Sequence, residues 1–126
     1  VYGAFDPENL VLLTRLRVGL SHLREHKFKH GFNDTINPFC PCNMEVESIT
    51  HFFLHCLIYF TQRLDLMNEL IALKPNLQNL DEKSLTNILL FGSKGFDLEL
   101  NSKILNLSIK FILCTKKRLI NIYTFR

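Results

Sequence analysis

The chain has no tryptophan, and only five glycines and four prolines among its 126 residues. Without tryptophan, the core has to be assembled from leucine, isoleucine and phenylalanine, and phenylalanine alone supplies eleven residues. So little glycine and proline excludes collagen-like and proline-rich architectures. No uninterrupted apolar stretch reaches 18 residues, so no transmembrane helix is expected. No charged leader runs into an apolar segment with a small-residue cleavage site, and no secretory signal is expected. Repeats, low-complexity tracts and flexible linkers are also missing.

Catalytic signatures are equally scarce. "HFFLH" has the two-histidine spacing of a zinc-protease helix, but position 52 is Phe and the general-base glutamate is missing. "FGSKGF" carries two glycines and a lysine without the spacing or the strand-to-helix context of a phosphate loop. No paired acids and no Ser-His-Asp arrangement stand out. A non-catalytic protein is expected.

What remains is an ordinary globular composition, 47% hydrophobic and 21% charged, enough for one modest core in a single domain over residues 1–126. The first residue is Val1, and the simplest expectation is a piece of a longer intracellular polypeptide. Net charge is only +3, but it is uneven. Arg15, Arg17, Arg24, Lys27 and Lys29 face only Glu25 between positions 10 and 30. Lys103, Lys110, Lys116, Lys117, Arg118 and Arg126 face no acid beyond position 102, and the middle of the chain is acidic. Two basic ends suit phosphate contacts, although a solvated helical surface has the same composition.

Helical signals dominate. Asp6 is a candidate cap, Pro7 suits a first helical position, and Leu13, Leu16, Leu20 and Leu23 recur at helical spacing. Gly19 and Ser21 are expected to split this run, with Ser21 capping the second piece. Arg17 and Arg24 fall near the leucine stripe, where their stems can flank a core. His22, His26 and His30 are interleaved with basic residues and read as a basic helix face rather than a metal site.

"GFNDTINPF" reads as a loop, and "SITHFFLHCLIYFTQRLDLMNELIAL" as one long apolar helix capped by Ser48 and ended before Pro75. "SLTNILLFG" is a shorter helix closed by Gly92, and Asp97 caps a last long helix from about Leu98. "INIYTF" is the one tempting strand. The expectation is an all-α fold of about five helices with one irregular, zinc-knuckle-like Cys/His loop.

That loop carries the chemistry. "CPCNMEVESITHFFLHC", residues 40–56, holds three of the four cysteines and two of the five histidines. Zinc takes four ligands in a tetrahedron from thiolates and imidazoles. Cys40 and Cys42 lie on a turn stiffened by prolines, and one residue between them disfavours a disulfide. Position 56 lies about 140° round a regular helix from position 51, so pairing His51 with Cys56 requires an irregular helix start. His51 and His55 share a helical face and supply the other solution. Both ligand sets stay open on spacing alone, as does the reading of the cysteines as buried small hydrophobes.

From "LTRLRVGLSHLREHKFKHGFNDTINPFCPCNMEVESITHFFLHCLIYFTQR" onward the pattern resembles the C-terminal region of non-LTR (LINE-type) retrotransposon reverse transcriptases. "TRLRVGLSHL" matches that family's arginine-rich helix, "CPC" its cysteine pair, and "VESITHFFLHC" its Glu-Ser/Thr-x-x-His block with a closing Cys. "LTNILLFGS" and "NSKILNLSIKFILCTKKR" resemble its helical tail, so the likeness runs from about residue 12 to 118. The one-residue spacer of "CPC" departs from the commoner C-x2-C.

The resemblance implies one structural zinc on Cys40, Cys42, His51 and Cys56, in a domain that accompanies a reverse transcriptase and helps engage template RNA or target DNA. Partners would be RNA or DNA and the polymerase domain of the same polyprotein, in cytoplasm and nucleus, with no membrane and no small-molecule substrate. Contact candidates are Arg15, Arg17, Arg24, Lys27 and Lys29, then Lys116, Lys117 and Arg118. Core packing is the expectation for Phe39 and Phe52, with stacking on unpaired bases the alternative. The competing expectation is a helical docking module for the polymerase body that never touches nucleic acid.

Overall fold

The structure, a computed structural model, describes residues 7–19, 21, 23–32, 37–42 and 44–123, with residues 8 and 116–123 described by backbone alone. Among these it holds five α-helices: α1 (Pro7–Val18), α2 (Arg24–Lys29), α3 (Phe60–Leu73), α4 (Glu82–Phe91) and α5 (Leu98–Tyr123). The extended backbone of the 37–47 loop makes one isolated antiparallel bridge, between Phe39 and Val46, and there is no strand among the described residues. The chain is all-α. The tempting strand at "INIYTF" is instead helical as far as Tyr123.

Local chemistry explains most of the boundaries. α1 starts on Pro7, whose fixed φ suits a first helical position, and ends where Gly19 takes a left-handed φ of 77°. α4 begins after Asp81, whose carboxylate accepts the Ser84 N–H, and closes at Gly92 with φ 74°. A β-carbon at Gly92 would sit 2.6 Å from Asn101 Oδ1, which itself accepts the Ser93 N–H at 2.9 Å. Asp97 caps α5 through the Leu100 N–H at 2.7 Å, as its position in the sequence suggests. α3 stops before Pro75, which opens a short 3-10 turn, Pro75–Asn79.

α5 is the central element, with α3, α4 and α1 packed against it. Leu13, Leu16, Leu66, Leu70, Leu89, Ile104, Phe111 and Ile112 meet in one core. At the end near the cysteine-bearing loop Phe52 and Phe53 join Phe111, with ring centroids 5.2 and 5.5 Å away, and Tyr59 lies 5.5 Å from Phe52. Such pairs contribute about 0.5–1.5 kcal/mol each beyond their buried area. Phe52 is therefore core, as expected. Phe39 is not: it is 54% exposed, because the loop that carries it turns its ring away from the helices.

Two further expectations are corrected. Ser21 does not cap α2. Its hydroxyl accepts the Leu23 N–H and bonds His26 Nδ1 at 2.7 Å, while the Arg24 N–H at the helix start donates to Glu47 Oε1 at 2.7 Å. A carboxylate from the 37–47 loop has taken the capping role. Nor is the histidine row a basic surface: His26 and Lys27 are buried and only His30 is exposed, while His22 lies outside the described residues. Leu20 and Asp6 lie outside them as well.

Candidate metal centre

The long apolar helix expected over residues 48–73 is broken near its start. Ser48 caps it as anticipated, accepting the His51 N–H at 3.1 Å. A π-helical turn then spans His51–His55, and Cys56 leaves the helix with ψ 124°. A 3-10 turn, Leu57–Tyr59, leads into α3. The turn closes through the Cys56 N–H to His51 O bond at 2.8 Å, an i to i+5 bond. A π turn brings residue i+5 over residue i, so a five-residue spacing that mismatches an α-helix matches this one. The ligand atoms of positions 51 and 56 lie within 4.8 Å of each other.

The break frees backbone carbonyls, and Arg63 satisfies them. Its Nε donates to Phe53 O at 3.0 Å and its Nη2 to Cys56 O. Arg63 is 9% exposed, and burial lowers its pKa. A buried guanidinium against two buried carbonyls is what allows a non-α turn inside the fold.

On the opposing side the loop is pinned by Cys40 N–H to Glu45 O at 3.0 Å and Glu47 N–H to Pro38 O at 2.8 Å. Cys40, Cys42, His51 and Cys56 thereby converge, each offering one ligand atom, and these atoms all lie within 4.8 Å of one another. Cys40 and Cys56 Sγ are 3.5 Å apart, and Cys42 Sγ is 3.3 Å from His51 Nε2. Two thiolates on one tetrahedral zinc, at bonds of about 2.3 Å, lie about 3.7 Å apart, whereas a disulfide needs about 2.05 Å. The four cysteines are free thiols, and the Cys40–Cys56 separation fits two ligands on one ion better than a disulfide.

The surroundings match the same purpose. His51 Nδ1–H donates to Glu45 Oε1 at 2.9 Å, which leaves Nε2 as the metal-facing nitrogen, the carboxylate–histidine arrangement found behind many ligating imidazoles. His51, Cys40 and Cys56 are buried, and Cys42 partly so. The hydrogen bond from Cys40 pulls the Cys56 thiol down to about 5, and the same contact together with burial pushes Cys40 up. A thiol held low in this way is the form that ligates a metal cation. Burial raises the Glu47 carboxyl, which sits 3.8 Å from Cys40 Sγ. These four residues can hold a metal ion.

His55, the alternative ligand, pairs with Glu82 at 2.7 Å and stands apart from this cluster. The basic candidates divide. Arg15 and Lys29 are exposed, and Arg24 is partly buried beside the loop. Arg17 donates from Nε to Leu90 O at 2.6 Å and stacks over Phe91 at 5.2 Å, tying α1 to α4. Lys27 is 1% exposed, with Nζ 5.5 Å from the Phe32 ring centroid. The side chains of Lys116, Lys117 and Arg118 lie outside those described. Glu47 stands in the sequence as the Glu of the Glu-Ser-x-x-His block, whereas Arg63 and Glu45 carry no sequence mark of a site role, because their partners are backbone groups or a ligand brought near only by folding.

No protein-family model, curated protein or solved structure matches this chain.

Proposed function

We propose that the chain is a non-catalytic, zinc-stapled domain that contacts nucleic acid. The observation that carries the metal half of this reading is the Cys40, Cys42, His51 and Cys56 cluster with Glu45 behind His51. Three thiolates and an imidazole, largely buried, are the donor set of closed structural zinc sites, which leave no open position for a substrate. The ion holds the 37–47 loop against the start of the α3 segment, and Glu47 links that loop to α2.

Nucleic-acid contact is supported by the exposed Arg15 and Lys29, by Arg24 beside the loop, and by the resemblance of the sequence to the end of LINE-type reverse transcriptases. In that reading the domain accompanies a polymerase and adds affinity for template or target strands through phosphate contacts. Arg17 and Lys27 serve the fold instead.

A second reading has its own observation. A groove of about 800 Å3 between α3 and α5, lined by Leu73, Leu107, Ile109 and Leu113, suits a helical partner surface such as a polymerase body.

Elemental mass spectrometry of the purified chain decides the first point, with about one zinc per chain expected and release on thiol modification. Fluorescence anisotropy against salt decides the second. Binding that weakens steeply with salt supports the proposal, and absence of binding at low salt hands the function to the docking groove.

A further inference from the structure

Beside the metal loop lies a cleft of about 450 Å3 lined by Arg24, Asn37, Phe39, Cys40 and Pro41. Two of its residues keep groups that the described fold leaves unused, the Arg24 Nε and the Phe39 ring. Arg24 Nε is buried and has no hydrogen-bond partner among the described residues, a condition that a folded protein resolves with an acceptor from somewhere. The backbone of the same residue is fixed by Glu47, so the guanidinium is presented from an anchored root.

Phe39 is 54% exposed on a loop that is anything but loose. Its N–H donates to Asn37 Oδ1 at 3.0 Å, its backbone bridges to Val46, and the Cys40 N–H that follows is bonded to Glu45 O. An aromatic ring held in solvent on a pinned loop loses little entropy when something stacks on it. Because the Asn37 carbonyl oxygen is engaged by Phe39, its NH2 is the group it offers to a ligand.

We propose that this cleft seats one nucleotide of a single-stranded nucleic acid, with the base stacked on Phe39 and the phosphate on Arg24. The inference rests on the nucleic-acid reading above and gives it a place. The volume falls in the range of small-ligand sites, and a guanidinium fork matches phosphate geometry. A base in a duplex presents no free face to the ring, so the cleft selects unpaired strands. An acidic protein segment would use Arg24 and leave the ring idle.

The test uses the zinc-loaded chain and uniform pyrimidine oligonucleotides of RNA and of DNA, each single-stranded or annealed, read by anisotropy across a salt series. Phe39→Ala is expected to weaken single-strand binding roughly tenfold or more, and Phe39→Trp to restore it. Arg24→Gln is expected to weaken binding and to reduce the salt slope by about one. Circular dichroism and metal content check that each variant is folded. Unchanged binding by folded Phe39→Ala and Arg24→Gln overturns the cleft and leaves the broader reading standing. No binding by the unmodified chain overturns both. Equal affinity for duplex and single strand, insensitive to Phe39, also overturns the cleft.

Discussion

The two halves of this molecule are held together by different physics. Around α5 the packing is apolar: Leu66, Leu70, Leu89 and Ile104 are buried, and the polar groups among them bond to nearby carbonyls, as Ser108 does to Leu89 O at 2.7 Å. Around the metal loop the buried groups include His51, Glu47, Arg63 and thiols, each of these fixed by a specific partner. Burying such groups is favourable only when every one is paired. The helical half therefore tolerates gradual change, and the loop half is close to all-or-none.

Breaking the metal site gives the largest expected effect. Cys56→Ser removes a ligand and leaves the cluster as a set of buried polar groups without a centre. Zinc content is expected to fall to background and the melting temperature by roughly 10 °C or more, measured by elemental analysis and thermal circular dichroism. A folded, zinc-replete variant would place the ion elsewhere.

A matched pair sharpens the contrast. Leu89→Ala in the apolar half is expected to cost about 2–5 kcal/mol while the chain still binds one metal equivalent. Arg63→Ala leaves Phe53 O and Cys56 O unsatisfied and is expected to cost about 3 kcal/mol, with metal affinity reduced alongside. Denaturant midpoints and zinc competition titrations measure the two quantities separately, and loss of metal affinity in both variants would erase the distinction between halves.

The smallest effect on the fold is expected from Glu45→Gln. Glu45 is half exposed, so stability of the zinc-loaded chain should hardly move. Its bond to His51 Nδ1 is lost as a charge-assisted contact, and zinc affinity is expected to fall about 10- to 100-fold in a chelator competition.

The apolar half was also the legible half. Helical spacing, Pro7, Gly92 and Asp97 mark α1, α4 and α5 because each acts on its immediate neighbours. The four candidate ligands were legible as residue types, and Ser48 as a cap. The break at Cys56 was legible only as a geometric problem, since an apolar run shows no punctuation where a π turn replaces an α turn. What resolves it is Arg63, several residues downstream, acting on carbonyls. The same reason hid the capping of α2 by Glu47 and the inward turn of Lys27: a pairing made by tertiary structure leaves no period in the sequence.

The candidate metal ligands furthest apart in the chain, Cys40 and Cys56, are sixteen positions apart, whereas the tie from Arg17 to Leu90 spans seventy-three. Closing a short loop is entropically cheap and fast, about 10–100 ns for ten residues. An ion held by these four residues would close its loop at a smaller entropic cost than the contact that joins α1 to α4. Such a short closure would also fix the backbone that carries Phe52 and Phe53, the two rings on which Phe111 of α5 packs.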